Sequence, residues 1–386
     1  MKRGIATFTL DYGTCPRWLF ERMVKLGQEM VRVLIDEYGP NEFIARIADP
    51  VWFQSLGTVL AFDWNASGLT TILTAALKEA IRGHEKELGI FICGGKGKTS
   101  RKTPDEIALW GKKLYLQTNQ TENLIYNSKM SAKVDSALIQ DGYQIYHHAF
   151  FFSKKGAWAV VQQGMNTGNQ TARRYHWSSE SANDLIIEPH KGIVSDLKLK
   201  SPVLNMTALT SQQSRDLSVD MVDAGYNSVI KDIQLLRKHS SRLSKMMSFS
   251  NGEHQLSFLE LANTEFTKHP VINEDFSKSL YLEKVLAKVC ANKPKTYKEL
   301  IAQEGVGPKT VRALALVGEV IYGAEPSYKD PARYSFAHGG KDATPYPVDK
   351  KTYDQTIEIL RKAVIKTKLT PNEKNKAITN LISATK

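Results

Sequence analysis

The stretch QIYHHAFFFSKKGAWAVVQQGMN, residues 144–166, decides much of the fold that we expect for this chain. Two apolar clusters flank SKKGA, a segment of the small and charged residues that form turns. This arrangement predicts a β-hairpin. The segment ARRYHW, residues 172–177, continues the same texture. Upstream, LGIFIC at residues 88–93 is a short apolar run that is typical of a buried strand.

Helical periodicity dominates on both sides of this strand-rich zone. It runs through WLFERMVKLGQEMVRVLIDEYG, ADPVWFQSLGTVLAFDW and TTILTAALKEAIRG before the zone, and through MVDAGYNSVIKDIQLLRKHSSRLSKMM and FSKSLYLEKVLAKVC after it. Strand signals disappear beyond about residue 210. We therefore predict an α+β or α/β domain over residues 1–210 and an all-α domain over residues 211–386, with the boundary near the polar segment 207–216.

Length and composition set the broad class of the protein. A chain of 386 residues is long enough for two or three domains. No run approaches the eighteen apolar residues of a membrane span, and the first residues, MKRGIATFTLDYG, lack the apolar segment of an export signal. The three cysteines lie far apart and are too few for a metal site built from thiolates alone. We expect a cytoplasmic protein with reduced thiols and no membrane contact.

Positive charge is concentrated at the C-terminus. The net charge is +12, and residues 350–386 hold nine Lys or Arg against three acids. The pattern KKTYDQTIEILRKAVIKTK predicts a basic amphipathic helix, because four apolar residues fall on one helical stripe: Tyr353, Ile357, Leu360 and Val364. Such a helix fits either a solvated surface or a polyanionic partner.

A glycine-rich basic loop, GGKGKTSRKTPDE at residues 94–106, follows the first predicted strand and leads into a helix. Its glycines would let a ligand approach the backbone, and its cations would attract a DNA or RNA phosphate: Gly94, Gly95, Lys96, Gly97, Lys98, Arg101 and Lys102. A solvated basic loop is the alternative. The GKT step resembles a P-loop, but Ile92 replaces the required first glycine, which disfavours ATP hydrolysis. Thr103, Pro104 and Glu106 predict a capping box for the next helix.

Histidines and arginines of the strand zone are further candidates. His147, Asp141 and His176 have the chemistry of divalent-metal ligands or of a nuclease base, although their spacing matches no metal motif and packed histidines are the alternative. His147 and His148 are adjacent on a strand, so they must point to opposite faces. Arg173 and Arg174 lie among aromatic residues, a composition that suits binding of a nucleic-acid strand.

Several segments together resemble one known family. They are PRWLFERM (16–23), DPVWFQSLG (49–57), FDW (62–64) before SGLTT, GGKGKTSRKTP (94–104), WAVVQQGMN (158–166), ARRYHW (172–177), and VGPKTVRALALV with FAHGGKDATPYPVD near the C-terminus. The chain resembles domain-of-unknown-function family 763 over most of its length, a resemblance that implies no activity. Asp11, Thr14 and Asn65 stand where the family is expected to carry histidines, so this member would lack whatever those histidines do.

A second pattern, KTYKELIAQ followed by the turn EGVGP and KTVRALALVGEVIYG, predicts a helix-hairpin-helix. Gly305 and Gly307 permit the tight turn and present N–H groups to a DNA phosphate, and Thr310 belongs to the same expected surface. Contact of this kind reads the backbone and not the bases. Double-stranded DNA is therefore the expected partner.

The same region resembles the helix-hairpin-helix DNA glycosylase and AP-lyase superfamily. Lys309 occupies the position of the lyase nucleophile, and Val348-Asp349 occupies the Val-Asp step that opens the next helix. This chain differs by an insertion, roughly SYKDPARYSFAHGGKDAT, and by the absence of the four-cysteine cluster that some members carry. The resemblance implies a DNA-repair enzyme that needs no cofactor and acts on a flipped base or an abasic site.

Each residue of that pair also has a non-catalytic interpretation. The Lys309 amine suits nucleophilic attack on the sugar and the Asp349 carboxylate suits charge stabilisation. Lys309 would equally serve as a phosphate contact, and Asp349 as the N-cap of the helix that follows. Two other functions stay open at this point: a metal-dependent nuclease centred on His147, Asp141 or His176, and a DNA-binding module without enzymatic activity.

Overall fold

The computed structural model describes residues 8, 10, 14–60, 66–182, 184–195, 198–240, 279–334 and 350–385. Contacts between residues divide the chain into two compact units. The first comprises Met1–Asp135, Gly142–Lys198 and Pro331–Lys386, and the second comprises Ser136–Asp141 and Leu199–Asp330. The division into domains 1–210 and 211–386 stays a prediction.

Helices and strands alternate in groups along the described chain. The helices are α1 (Arg17–Ile47), α2 (Pro50–Val59), α3 (Ala66–Ala80), α4 (Glu85–Leu88), α5 (Thr103–Lys113), α6 (Thr118–Ala137), α7 (Gln212–Asp223), α8 (Tyr226–Ser240), α9 (Leu280–Asn292), α10 (Tyr297–Ala302), α11 (Pro308–Tyr322), α12 (Lys350–Lys366) and α13 (Pro371–Thr385). The strands are β1 (Ile90–Lys96), β2 (Ile139–Gln140), β3 (Gln144–Ser153), β4 (Trp158–Asn166), β5 (Thr171–Ser178), β6 (His190–Ser195), β7 (Leu204–Asn205) and β8 (Arg333–Tyr334). The mixed fold expected from the sequence is therefore confirmed.

The first unit is built around one sheet with the strand order β1-β3-β4-β5-β6-β8. The first five of these strands pair antiparallel, and β8 adds to the edge in parallel. The predicted hairpin is confirmed, since β3 and β4 pair with Phe151 opposite Ala159. Its turn requires glycine at Gly156, where φ is +92°.

One face of the sheet packs against helices α1, α2 and α3. Alternate strand residues such as Ile92, Phe151 and Val161 join the same apolar core as these helices. The α1 helix bends at Gly39, where φ is +81°, because Pro40 follows and cannot continue the hydrogen-bond ladder. The other face of the sheet packs against α5, and α6 contributes hydrogen bonds to it.

The C-terminal helices belong to this first core. Leu360 and Val364 of α12 are fully buried and pack with α1 and α2, together with Leu381 of α13. The predicted basic amphipathic helix therefore exists, and its apolar stripe is a core surface. The side chain of Tyr353, which also belongs to that stripe, lies outside the described residues. The expectation that strands disappear after residue 210 is wrong, because β8 extends the sheet.

The second unit combines the short antiparallel pair β2–β7 with helices α7 to α11. The long helical pattern around residues 212–240 divides into α7 and α8 at Gly225, where φ is +99°. Buried apolar residues of this unit include Leu286, Leu300 and Leu314. Among the helices that the structure describes, none has the length and hydropathy needed to cross a membrane.

Candidate functional site

Two residues fix the conformation of the turn between α10 and α11: the buried Val306 and the glycine before it, Gly305. Val306 is buried, and its N–H donates to the Gln303 carbonyl at 3.3 Å. Gly305 has φ of +87°, and a Cβ there would lie 2.9 Å from Cγ2 of Val285. Both its conformation and its surroundings therefore require glycine at position 305.

Gly307 differs from Gly305 in both respects. Its φ of −148° and ψ of −168° are extended backbone that any residue adopts, and the nearest atom to an added Cβ is the Gly305 carbonyl oxygen at 3.9 Å. The first helical hydrogen bond of α11 runs from Val311 N–H to the Gly307 carbonyl. The N–H groups before Val311 thus have no helical acceptor and carry the positive end of the helix dipole.

The predicted contact residues of this turn differ in exposure. Lys309 is exposed in the first turn of α11, whereas Thr310 as a whole residue is only 2% exposed, in contrast to its expected place on the contact surface. A lysine that acts as a nucleophile is usually activated by an apolar pocket or by a neighbouring cation. The exposed position of Lys309 supplies no such pocket. Asp349 lies outside the described residues.

The basic loop places its cations at the surface of the first unit. A short 3-10 helix spans Gly97–Lys102, and all four cations of the loop are exposed: Lys96, Lys98, Arg101 and Lys102. Within the described ranges, none of the four makes a salt bridge with an acid. Gly97, with φ of +62°, begins this helix in open space. The Lys96 ammonium lies 5.9 Å from the Tyr146 ring centroid, and as exposed cations all four side chains can still meet an anion.

Gly94 and Gly95 belong to strand β1 of the sheet and not to the exposed loop. Both pair within the sheet, opposite Ala149 and His148. The N–H of Gly94 donates to the Glu106 carboxylate at 2.8 Å, so it is not available to a phosphate. A Cβ at Gly94 would lie 2.2 Å from the His148 carbonyl oxygen, which explains why glycine is needed there.

The capping box expected at the start of α5 is wrong. The Thr103 hydroxyl donates to the Ser100 carbonyl at 2.7 Å, and Thr103 itself is already helical. Glu106 instead pairs with Lys78 at 2.7 Å and accepts the Gly94 N–H. The carboxylate is drawn to this partly buried ammonium group because a charge-assisted bond is stronger than a cap.

The histidines are buried in the sheet. His147 points to α3, where its Nε2 lies 3.1 Å from Thr74 Oγ1, and His148 points to α6, so the predicted opposite orientation is confirmed. Burial lowers the pKa of His147 to about 3 and that of His148 to about 4. Burial and the neighbouring Arg174 charge lower the pKa of His176 well below the usual value.

The expected metal ligands do not converge in the described structure. Asp141 is buried in the second unit, and His147 and His176 belong to the first. Across the described residues, no group of three or more His, Cys, Asp or Glu side chains has the geometry of a metal site. The arrangement therefore gives the metal-dependent nuclease interpretation no support.

Arg173 and Arg174 are both fully buried, in contrast to the expected surface role. The Arg174 guanidinium lies 4.8 Å from the Phe53 ring centroid and 5.6 Å from that of Phe8, and Arg173 lies 4.6 Å from the Tyr143 ring. The physical reason is that β5 lies inside the sheet, where flat guanidinium groups stack on rings. Neither side chain meets a polyanion in this conformation.

A buried hydrogen-bonded network joins α6 to the sheet, and sequence reasoning missed it. The Ser128 hydroxyl donates to His148 Nε2 at 2.9 Å, because the ring is neutral and its proton lies on Nδ1. That Nδ1–H donates to Gln162 Oε1 at 2.8 Å. The Gln162 amide donates in turn to Asp135 Oδ2 at 2.5 Å. Each donor in this series of three hydrogen bonds thus has a defined acceptor.

Asp135 receives two more donors at the end of this network. Trp177 Nε1 donates to Oδ2 at 3.0 Å, and His190 Nε2 lies 2.5 Å from Oδ1. Burial raises the pKa of Asp135, while the charge of His190 and the three donors oppose that shift. The signal in the sequence is that α6 carries Ser128, Ser131 and Asp135 at helical spacing, where a packed helix usually places apolar residues.

Comparison with known families gives a match over most of the chain. Residues 4–348 match the model of DUF763, described as a protein of unknown function. Neither the curated proteins nor the solved structures contain a match to this chain. The similarity of the C-terminal part to helix-hairpin-helix glycosylases therefore stays a prediction.

Proposed function

This chain belongs to the DUF763 family, and we propose that it is a DNA-repair protein that holds the DNA backbone with the α10–α11 turn, a helix-hairpin-helix. The observation that carries the proposal is Gly307, whose backbone angles and open surroundings would accept any residue. A glycine that the fold does not require suits a position where another molecule approaches the backbone closely. A phosphate at the α11 N-terminus fits this position.

The chemistry around Gly307 suits a phosphate oxygen. The first N–H groups of α11 have no helical acceptor, and the positive end of the helix dipole lies at the same point. The exposed ammonium group of Lys309 adds a charge that is free to follow the phosphate. Contacts of this kind recognise the duplex backbone and not its sequence.

The basic loop is proposed as a second backbone contact. Its four exposed cations have no acidic partner among the described residues, so DNA binding would release counterions there. We include Lys96, Lys98, Arg101 and Lys102 in this contact. The buried Arg173 and Arg174, and Gly94 with its N–H already bonded to Glu106, are not included.

The proposed reaction is that of a DNA glycosylase or AP lyase. The neutral Lys309 amine would add to C1′ of the opened abasic sugar and lose water to form an imine. Loss of a C2′ proton would then break the C3′–O bond, and the phosphate would leave with its electron pair. Water would hydrolyse the remaining imine and return the free lysine. Asp349 would accept a proton or stabilise the developing charge.

An abasic-site duplex tests binding and chemistry separately. Fluorescence anisotropy with labelled duplex DNA is expected to report binding that weakens as salt rises. Borohydride in the same reaction is expected to trap a covalent protein–DNA adduct, with or without EDTA. Binding without an adduct would leave a DNA-binding module, and cleavage that EDTA abolishes would favour a metal-dependent nuclease. Absence of salt-sensitive binding would refute the whole proposal.

A further inference from the structure

Consecutive residues of β4 differ in how completely they are hydrogen-bonded. Gln162, on the α6 side of the sheet, uses its amide oxygen and nitrogen with His148 and Asp135. Gln163, on the α3 side, donates to the Ser67 carbonyl at 2.9 Å and to Tyr146 OH at 2.5 Å. Its buried Oε1 finds no partner in the described structure. The two faces of one strand are thus not equivalent.

The neighbours of Gln163 share this property. His147 lies opposite Gln163 on β3, and Arg174 lies opposite it on β5. His147 Nδ1 and Arg174 Nε are likewise buried, and no described residue pairs with either atom. Lys96 lies opposite His147 on β1 and is exposed. We call these four residues, Lys96, His147, Gln163 and Arg174, the polar row. An unpaired buried polar atom is costly, so three in one row need an explanation.

A β-bulge and a helix N-terminus complete the surroundings of the row. The register of β3 shifts between Ile145 and His147, which brings Tyr146 to the same face as His147. The first turns of α3 lie over the row, since Ser67 accepts from Gln163, Thr70 accepts from Arg174 at 3.3 Å, and Thr74 contacts His147. The side of α3 that carries Ser67, Thr70 and Thr74 therefore covers the row with neutral polar groups.

The charge of the row is positive and uncompensated among the described residues. Arg174 is fully buried, and its hydrogen-bond partners are neutral: Gln54, Thr70 and the Pro50 carbonyl. Lys96 has no acidic partner in the ranges that the structure covers. His147 adds no charge, because burial keeps its ring neutral. A buried cation without a counter-ion is costly, and an anion would remove that cost.

We propose that the polar row binds a phosphate monoester, which enters from the exposed Lys96 end. The oxygens of such a group accept from Arg174 Nε–H and from the Lys96 ammonium. Its singly protonated form also carries one P–OH, which donates to Gln163 Oε1. A phosphodiester has no such proton and leaves that oxygen unpaired. The row thus selects a terminal phosphate, on a nucleotide or on a DNA end. Backbone phosphates, which are proposed to bind at the α10–α11 turn, are phosphodiesters and are not selected.

Calorimetric titration with inorganic phosphate tests the site. Near pH 6, about the second pKa of a phosphate monoester, inorganic phosphate also carries the P–OH group that Gln163 Oε1 would accept from. We expect saturable binding by the full chain, and about tenfold weaker binding in Gln163→Met and in Lys96→Ala. Lys154→Ala removes an exposed lysine from the β3–β4 turn of the same unit and is the matched control, expected to bind as wild type. Absence of saturable binding, or equal affinity in Gln163→Met and wild type, would overturn the proposal.

Two further binding experiments identify the source of the phosphate. They also distinguish binding at the polar row from DNA binding at the α10–α11 turn. A 5′-phosphorylated oligonucleotide that binds more tightly than its 5′-hydroxyl counterpart would identify a DNA end, and a preference for a mononucleotide would identify a small molecule. Equal binding of phosphorylated and hydroxyl forms in both experiments would contradict the monoester site. Gln163→Met lies outside the α10–α11 turn and the basic loop, so it is expected to weaken phosphate binding while leaving the binding of an unphosphorylated duplex unchanged.

Discussion

Gly305 and Gly307 lie two residues apart in one turn, yet only Gly305 is required by the fold. At Gly305 a Cβ would meet Val285 at 2.9 Å with φ at +87°, while at Gly307 it would meet nothing closer than 3.9 Å. The two glycines therefore separate a structural role from a proposed binding role. Substitution of each by alanine makes this separation measurable.

Gly305→Ala is expected to lower the free energy of unfolding by about 1–3 kcal/mol, because alanine is strained at positive φ and also crowds Val285. Gly307→Ala is expected to change stability by no more than about 0.5 kcal/mol. It should nevertheless weaken duplex binding about tenfold, because the added methyl group keeps the phosphate from the backbone. Urea denaturation and anisotropy check the two effects. Wild-type DNA affinity in a folded Gly307→Ala protein would contradict the proposed contact.

The basic loop is expected to set part of the salt dependence of DNA binding. Replacement of Lys96, Lys98, Arg101 and Lys102 by glutamine should lower the slope of log affinity against log salt by about 0.9 for each cation that meets a phosphate. Affinity should fall to a similar extent for unrelated duplex sequences, since phosphate contacts carry no sequence information. Titrations at several salt concentrations measure the slope. An unchanged slope would mean that the bound DNA does not contact the basic loop.

The two possible roles of Lys309, phosphate contact and nucleophile, are distinguished by measuring DNA binding and turnover separately in Lys309→Gln. As a phosphate contact, Lys309→Gln should weaken binding modestly, and any turnover should persist at saturating protein. As a nucleophile, its loss should abolish both turnover and the borohydride-trapped adduct, even when low salt restores binding. Asp349→Asn distinguishes the roles of the carboxylate, because asparagine caps a helix about as well as aspartate but carries no charge. Wild-type turnover in both variants would exclude them from catalysis.

The buried histidines predict loss of stability on acidification. The folded-state pKa values of His147 and His148, about 3 and about 4, lie below the unfolded value, and that of His176 is also lowered. Between about pH 6.5 and about pH 4 the unfolded chain therefore takes up protons that the folded chain does not. Each such histidine should cost about 1.4 kcal/mol per pH unit in this window.

Asp135 acts in the opposite direction, because its raised pKa favours proton uptake by the folded state on acidification. Three histidines outweigh one carboxyl group, so the net free energy of unfolding should fall from pH 7 to pH 5. His147→Asn should remove about a third of the slope. Denaturant titrations at several pH values measure it, and a flat profile would mean that the folded and unfolded chains take up the same number of protons, which contradicts the lowered pKa values.

The Asp135 network is expected to be a major contributor to stability. Asp135→Asn leaves His190 or Gln162 facing an amide nitrogen inside the protein, and breaking a buried pair of this kind costs about 3–5 kcal/mol. Asp105→Asn, at an exposed position of α5, is the matched control and should change stability by no more than about 0.5 kcal/mol. Equal unfolding midpoints in the two variants would show that the network contributes little.

The sequence alone determined the local elements of this protein. The hairpin at residues 144–166, the strand at LGIFIC and the helices before and after them follow from periodicity and turn residues, which depend only on neighbours in the chain. The opposite orientation of His147 and His148 follows from the geometry of a strand. The turn before α11 was equally readable, because Gly305 needs positive φ within a short segment.

Only the tertiary structure decided where the polar side chains would lie. Arg173 and Arg174 look like surface cations in the sequence, but β5 lies between other strands, and rings from distant segments cover both guanidinium groups. Asp135 meets Gln162 and His190 across 27 and 55 residues, and no local pattern encodes such pairs. The C-terminal helices join the N-terminal core for the same reason: burial depends on which apolar faces meet in space, not on their order along the chain.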